Sequence, residues 1–154
     1  MTTSKYPDQR FIEGKMTSGA TIHITKYDLE RLLKLLHAAG STQYRGSEYL
    51  KGLQSELERA TVVAPQDIPG DVITMNSTVS LEDTVTSEEE IYTLVFPEDA
   101  NLSQGKLSIL APVGTGMLGY RVGDIFEWDV PDGKRRLLVK KIIYQPEASG
   151  NFEL

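Results

Sequence analysis

Cysteine is absent from this chain of 154 residues. That excludes disulfides, thiol nucleophiles and cysteine-ligated zinc, and it suits a reducing cytoplasm. Histidine is scarce. His23 and His37 stand apart, with no second histidine or carboxylate pair at ligand spacing, which argues against a metal centre. Surplus positive charge is missing as well: 16 Lys and Arg face 22 Asp and Glu, a net charge of −6. Direct gripping of nucleic acid by phosphate neutralisation is therefore not expected. No apolar run approaches the roughly 20 residues of a membrane-spanning helix, and the first residues lack the apolar stretch of a secretory signal. The catalytic signatures are missing too: no P-loop, no GxGxxG behind a strand, no GxSxG. Gly114-Thr115-Gly116 lacks the lysine and spacing of a phosphate loop, and Glu88-Glu89-Glu90 reads as a solvated turn. The sequence offers no nucleophile–base pair and calls for no cofactor.

What is present is an ordinary apolar fraction of 40%, enough for a packed core. Residues 1–19 are polar and without period, and read as a flexible extension. Ala20 to Ile24 is a short strand or an extended lead-in, with Ile22 and Ile24 sharing a face. A helix starts behind Thr25, a good N-cap, with Asp28 placed to suit both the cap and the helix dipole. Leu29, Leu32, Leu33 and Leu36 make one apolar stripe at i, i+3, i+4 and i+7. After a polar loop a second helix begins near Ser47 and carries Leu50, Leu53, Leu57 and Ala60 at coiled-coil spacing. Two such helices with a short connection predict an antiparallel hairpin, each arm about 20 Å long at 1.5 Å per residue. The polar faces (Glu30, Lys34, Lys51, Gln54, Glu58) favour a projecting hairpin over one packed as core.

Pro65, Pro69 and Gly70 mark a linker and a boundary. Beyond it the period falls to two. Val72–Met75, Ser77–Leu81, Glu89–Phe96, Leu107–Leu110, Ile125–Val130 and Arg136–Tyr144 read as strands, with a hairpin turn at Pro131-Asp132-Gly133-Lys134. Within the stretch from Leu107 to Val130, Pro112 suits a first helical position and Gly119 the residue past a helix end. It predicts strand, one helical turn, tight turn, strand. The layout is α+β: a helical hairpin over 20–64, then a β domain with a short helix over 65–154.

The run APVGTGMLGYRVGD at 111–124, followed by a strand, PDGK and a last strand, resembles the C-terminal domain of the bacterial Gre transcript-cleavage factors. It is more similar still to their short Rnk branch, the regulators of nucleoside diphosphate kinase. Leu57-Glu58-Arg59-Ala60 before Pro65, Asp71 to Ser77, Tyr92 to Pro97 and Tyr144 to Gly150 carry the same resemblance through the rest of the chain. It implies an N-terminal antiparallel coiled coil and an FKBP-like antiparallel β domain. In the family the β domain docks on RNA polymerase at the rim of the secondary channel, and the coiled coil enters the channel.

Carried onto this sequence, the resemblance places the polymerase contact at Pro112, Val113, Gly114, Thr115 and Met117. Cleavage in the family depends on acidic residues at the coiled-coil tip, which help to hold a Mg²⁺ ion. Here the tip region, 31–47, contains no Asp or Glu; it offers His37 and Arg45, with Glu48 alone at the start of the second helix. The arms are also about half the family's length, and so about half its reach. Where Gre factors have Asp or Asn and then Ser before the loop proline, this chain has Leu110-Ala111, as the Rnk branch does. The expectation is a cytoplasmic, non-enzymatic regulator that binds polymerase without stimulating cleavage and competes with Gre factors. Two rivals follow from the same resemblance. One is an FKBP-type prolyl isomerase using Phe96, Tyr120, Phe126, Trp128 and Tyr144. The other is a direct regulator of nucleoside diphosphate kinase.

Overall fold

The computed structural model describes residues 11–12, 15–16, 22–39, 48–130 and 133–152. Two short strands, β1 (Phe11–Ile12) and β2 (Lys15–Met16), pair antiparallel. The rest of the predicted extension lies outside the described residues.

β3 (His23–Thr25) leads into α1 (Lys26–Ala39). The predicted cap is in place, for the Thr25 hydroxyl accepts the Asp28 backbone N–H at 3.0 Å. α2 (Glu48–Arg59) follows, and then β4 (Thr61–Val63). β4 runs parallel to β3, with Ile24 opposite Val62, and closes the base of the hairpin. This pair is absent from the sequence reading, although Thr61-Val62-Val63 is a β-branched run of the kind strands favour.

The leucine stripe is buried in part. Leu32 is fully buried, and Leu29, Leu35 and Leu36 pack at the margin, but Leu33 is 42% exposed. The inward face is Leu29, Leu32, Leu35 and Leu36, so the stripe is rotated away from Leu33 toward Leu35. In α2, Leu50, Leu53 and Leu57 are buried as predicted. Glu30, Lys34, Lys51, Gln54 and Glu58 are exposed, again as predicted. The hairpin nevertheless does not stand free. Its leucines belong to one hydrophobic cluster with Met75, Leu94, Leu118, Tyr120 and Val139 of the β unit.

The β unit is a five-stranded sheet of order β7-β6-β5-β9-β8, from β5 (Thr78–Asp83), β6 (Glu89–Val95), β7 (Lys106–Ser108), β8 (Ile125–Val130) and β9 (Gly133–Tyr144). The expectation of a purely antiparallel domain fails at one edge, where β7 runs parallel to β6. The connection from Phe96 to Gly105, with two single-turn 3₁₀ helices, carries the chain back to the starting end of β6. β8 and β9 pair up to Val130 opposite Gly133, so the predicted hairpin turn falls at 131–132, outside the described residues.

Val72–Met75 is not a strand. Val72 makes a single bridge to Arg121, and the following backbone groups are satisfied one by one. The Ile73 N–H donates to the Tyr120 carbonyl, Thr74 N–H to the Ser77 hydroxyl and Met75 N–H to the Asp28 carboxylate. The residues are apolar because the segment is buried, which mimics a strand in sequence. With Asn76 at φ +68 it cannot continue as one.

The β5–β6 turn is held by Asp83. Its Oδ1 accepts the N–H groups of Val85 and Thr86 at 2.8 and 3.0 Å, and Arg135 reaches its Oδ2. Those backbone donors, the stronger influence, and Arg135 hold the carboxyl below the usual range. A depressed carboxylate adds stability that is present above the unfolded-state pKa and lost as pH falls through the folded one. Asp83→Asn should therefore be less stable than the parent to urea at pH 7. The difference should shrink as pH drops below about 4.

Candidate partner-binding loop and the hairpin junction

The loop that the sequence singles out is built as predicted. β7 ends at Ser108, and α3 (Pro112–Met117) follows a cap at Ala111, with proline at the first helical position. Thr115 fastens it twice: its N–H donates to the Ala111 carbonyl at 2.8 Å and its hydroxyl to the Ile109 carbonyl at 2.7 Å. Gly114 is required by close approach. A Cβ there would lie 2.2 Å from the Ser108 carbonyl oxygen, closer than any atom pair tolerates. Gly119, past the helix end, has φ +82, and Ile22 of the hairpin base packs so near that an added Cβ would lie 2.6 Å from the Ile22 Cβ.

The five predicted contact residues do not share one surface. Pro112 is exposed, and Val113 and Thr115 are half-buried. Gly114 is buried, and Met117 is completely so. Met117 is thus a core residue, corrected from a surface contact. It points under α3 into the cluster that holds Phe126 and Leu118. A flexible thioether on a short turn fills an irregular gap there. The outward face of the loop is Pro112 with parts of Val113 and Thr115.

At the hairpin tip, His37 is exposed in the last turn of α1 and Glu48 is the first residue of α2; Arg45 lies outside the described residues. Leu33, Leu36, His37 and Gln54 line a shallow groove there. Among the described residues no group of three or more His, Cys, Asp or Glu could hold a metal ion. Phe96, Tyr120 and Phe126, candidates for an isomerase pocket, are buried in the core, with the last two in ring contact at 6.2 Å. No helix among the described residues is long and apolar enough to cross a membrane.

A second polar cluster, which the sequence does not announce, sits where the hairpin meets the β unit. Asp28 is 1% exposed. Its Oδ1 accepts from Arg31 at 2.6 Å and its Oδ2 from the Met75 N–H at 3.1 Å. The Arg31 guanidinium lies between two rings, 3.9 Å from the Tyr27 centroid and 4.5 Å from that of Phe96. Nearby, the Thr74 hydroxyl donates to Glu147 at 2.7 Å. Burial pushes the Asp28 carboxyl up, against the pull of Arg31 and the Met75 N–H. Glu147 is raised as well, mainly by burial, with the charge of Asp28 adding to it. The only sequence signal for this cluster is Asp28, and it reads equally well as a surface dipole residue.

Two family models divide the chain between them. The Rnk N-terminus matches residues 21–63, and the C-terminal part of the transcription elongation factor GreA/GreB matches residues 68–144. The chain is 40% identical over 138 residues to the regulator of nucleoside diphosphate kinase of Escherichia coli (strain K12), covering 89% of this chain and 99% of that protein. It is 32% identical over 108 residues to the transcription elongation factor GreA of Chelativorans sp. (strain BNC1), covering 70% and 69%. Among solved structures, a prokaryotic transcription elongation factor GreA/GreB from Nitrosomonas europaea matches with a TM-score of 0.69 and 42% identity, covering 80% of this chain and all of that one. The chain belongs to the GreA/GreB transcription elongation factor family, in its Rnk branch.

The placement of Met117 and Pro112 predicts unequal effects on stability. Met117→Ala should lower unfolding free energy by about 2–5 kcal/mol. Pro112→Ala, at an exposed site, should change it by less than about 1 kcal/mol. Urea denaturation followed by circular dichroism distinguishes them.

Proposed function

We propose that this chain is a non-enzymatic transcription regulator that binds RNA polymerase at the rim of the secondary channel, does not stimulate transcript cleavage, and competes there with Gre factors. The carrying observation is the α3 loop: a rigidly fastened turn, in the part of the chain that matches the GreA/GreB C-terminal family, presenting Pro112 to solvent. On this reading the contact is made by Pro112, Val113 and Thr115, with Gly114 and Met117 shaping the loop from beneath. The β unit is then an FKBP-type domain and the hairpin a short coiled coil directed into the channel. A tip region without Asp or Glu supplies no carboxylate to a Mg²⁺ ion, so occupancy is separated from cleavage. The 14-residue α1 spans about 21 Å, which limits how far the tip can reach.

The relative's name also raises direct action on nucleoside diphosphate kinase, so the test includes that protein. Core RNA polymerase and the kinase are each titrated with the chain. Pro112→Glu, which places an acid where a helix N-terminus tolerates it, is run beside the parent. Polymerase should bind the parent and bind Pro112→Glu at least about tenfold more weakly, a loss of about 1.4 kcal/mol, with thermal stability unchanged. Stalled elongation complexes should show no added cleavage. Failure of the parent to bind polymerase, or binding to the kinase alone, would overturn the reading.

A further inference from the structure

We propose that Asp28 is a positioning residue: its carboxylate, joined to the Met75 N–H, locks the hairpin at a fixed angle on the β unit and so sets where the tip stands relative to the α3 loop. The inference deepens the polymerase reading and rests on it for its functional consequence. Its structural part stands alone.

Neither local role explains why this carboxylate is buried. The N-terminus of α1 already has its cap in Thr25, and a helix dipole is served equally well by an exposed acid. Placing a carboxylate at 1% exposure costs free energy that an alanine would not incur. What the carboxylate gains beyond its local pair with Arg31 is a partner 47 residues away, the backbone N–H of Met75. That amide lies in the buried segment in which Ile73 pairs with the end of the α3 loop. Ile73 exchanges hydrogen bonds with Gly119 and Tyr120, at 2.9 Å each way. Gly119 in turn lies against Ile22, at the base of the hairpin. The path from α1 to the loop is therefore a short chain of directional contacts: Asp28 to Met75, two residues back to Ile73, across to Gly119 and Tyr120, and into α3.

Apolar contact alone would hold the hairpin on the β unit but fix its angle poorly, because hydrophobic burial is non-directional. A charged acceptor on a single buried amide, with Arg31 stacked on the Phe96 ring across the same junction, is directional and leaves an unsatisfied group if the parts slide. Two surfaces that meet one partner together gain affinity from being held at the correct separation beforehand.

The test exploits the absence of cysteine, which lets two labels be placed cleanly. Spin labels at Ser55→Cys on α2 and Ser149→Cys near the end of the chain, both exposed positions, report the angle by their distance distribution. The parent background should give one narrow distribution. Asp28→Ala should broaden or shift it, and Asp28→Asn, which keeps an acceptor for the Met75 N–H but no charge, should do so less, with circular dichroism unchanged in both. Val139→Ala, a core truncation in the sheet that trims the shared apolar cluster but removes no polar contact across the junction, should lower stability and leave the distribution narrow. If Asp28→Ala does not fold, Asp28→Asn against Val139→Ala decides. A parent-like narrow distribution in every folded Asp28 variant would overturn the lock. Polymerase affinity of the broadened variant should fall about tenfold. A parent that binds no polymerase would sink the docking reading, and the distances would still decide the lock.

Discussion

One buried carboxylate on one backbone amide ties together two units that otherwise meet mainly through apolar surface, with Arg31 on the Phe96 ring and Arg121 beside His23 as further polar contacts. The Asp28–Met75 contact sits where α1 begins and two residues from Ile73, whose backbone pairs with Gly119 and Tyr120 at the end of the α3 loop. Around it the single hydrophobic cluster supplies adhesion. Each fully buried leucine or methionine is worth about 1.5–3 kcal/mol, so Leu32, Leu53, Leu57 and Met75 together outweigh any one polar contact. Adhesion and orientation are separate matters, however. The apolar residues explain why the hairpin is attached, and the polar ones explain why it is attached at one angle.

Much of the fold follows from patterns the sequence displays openly. The Thr25 cap, the seam of α2, the Ile125–Val130 strand and the Pro112 turn each combine a local signal with a tertiary role that agrees with it. The readings that fail do so where burial is decided by something non-local. Leu33 lies at helical spacing with its neighbours, but α1 turns its inward face toward Leu35 and leaves Leu33 exposed. Val72–Met75 is apolar and short, as a strand would be, yet its amides go to a carboxylate, a hydroxyl and a loop carbonyl. Nothing in the sequence states where a partner 47 residues away will lie. The parallel pairing of β7 on β6 is hidden for the same reason, because strand direction depends on where the intervening loop returns the chain.

The candidate site was legible in outline and misread in detail. Pro112 at the first helical position and Gly119 past the helix end place a compact helical turn correctly. Which of its side chains face outward depends on what lies beneath. Met117 looks like a surface anchor beside Thr115 and Gly116, but in the fold it is the plug that seats the turn on Phe126 and Leu118. The residues left outside, Pro112 with parts of Val113 and Thr115, form a small surface, which fits a contact that relies on a second point of engagement at the hairpin. On the proposed function one unit docks and the other reaches inward, which needs a fixed relation between the two. The junction at Asp28 supplies one with very few residues.

On the proposed function the α3 loop and the hairpin tip engage the same partner, RNA polymerase, at once. Site-specific photocrosslinking tests it most directly, with a photoreactive amino acid placed at position 112 in one sample and at position 37 in another, each added to core RNA polymerase. Crosslinks to polymerase are expected from both positions, both suppressed by an excess of a Gre factor. Crosslinks from neither position, or crosslinks that a Gre factor in excess leaves untouched, would contradict that engagement.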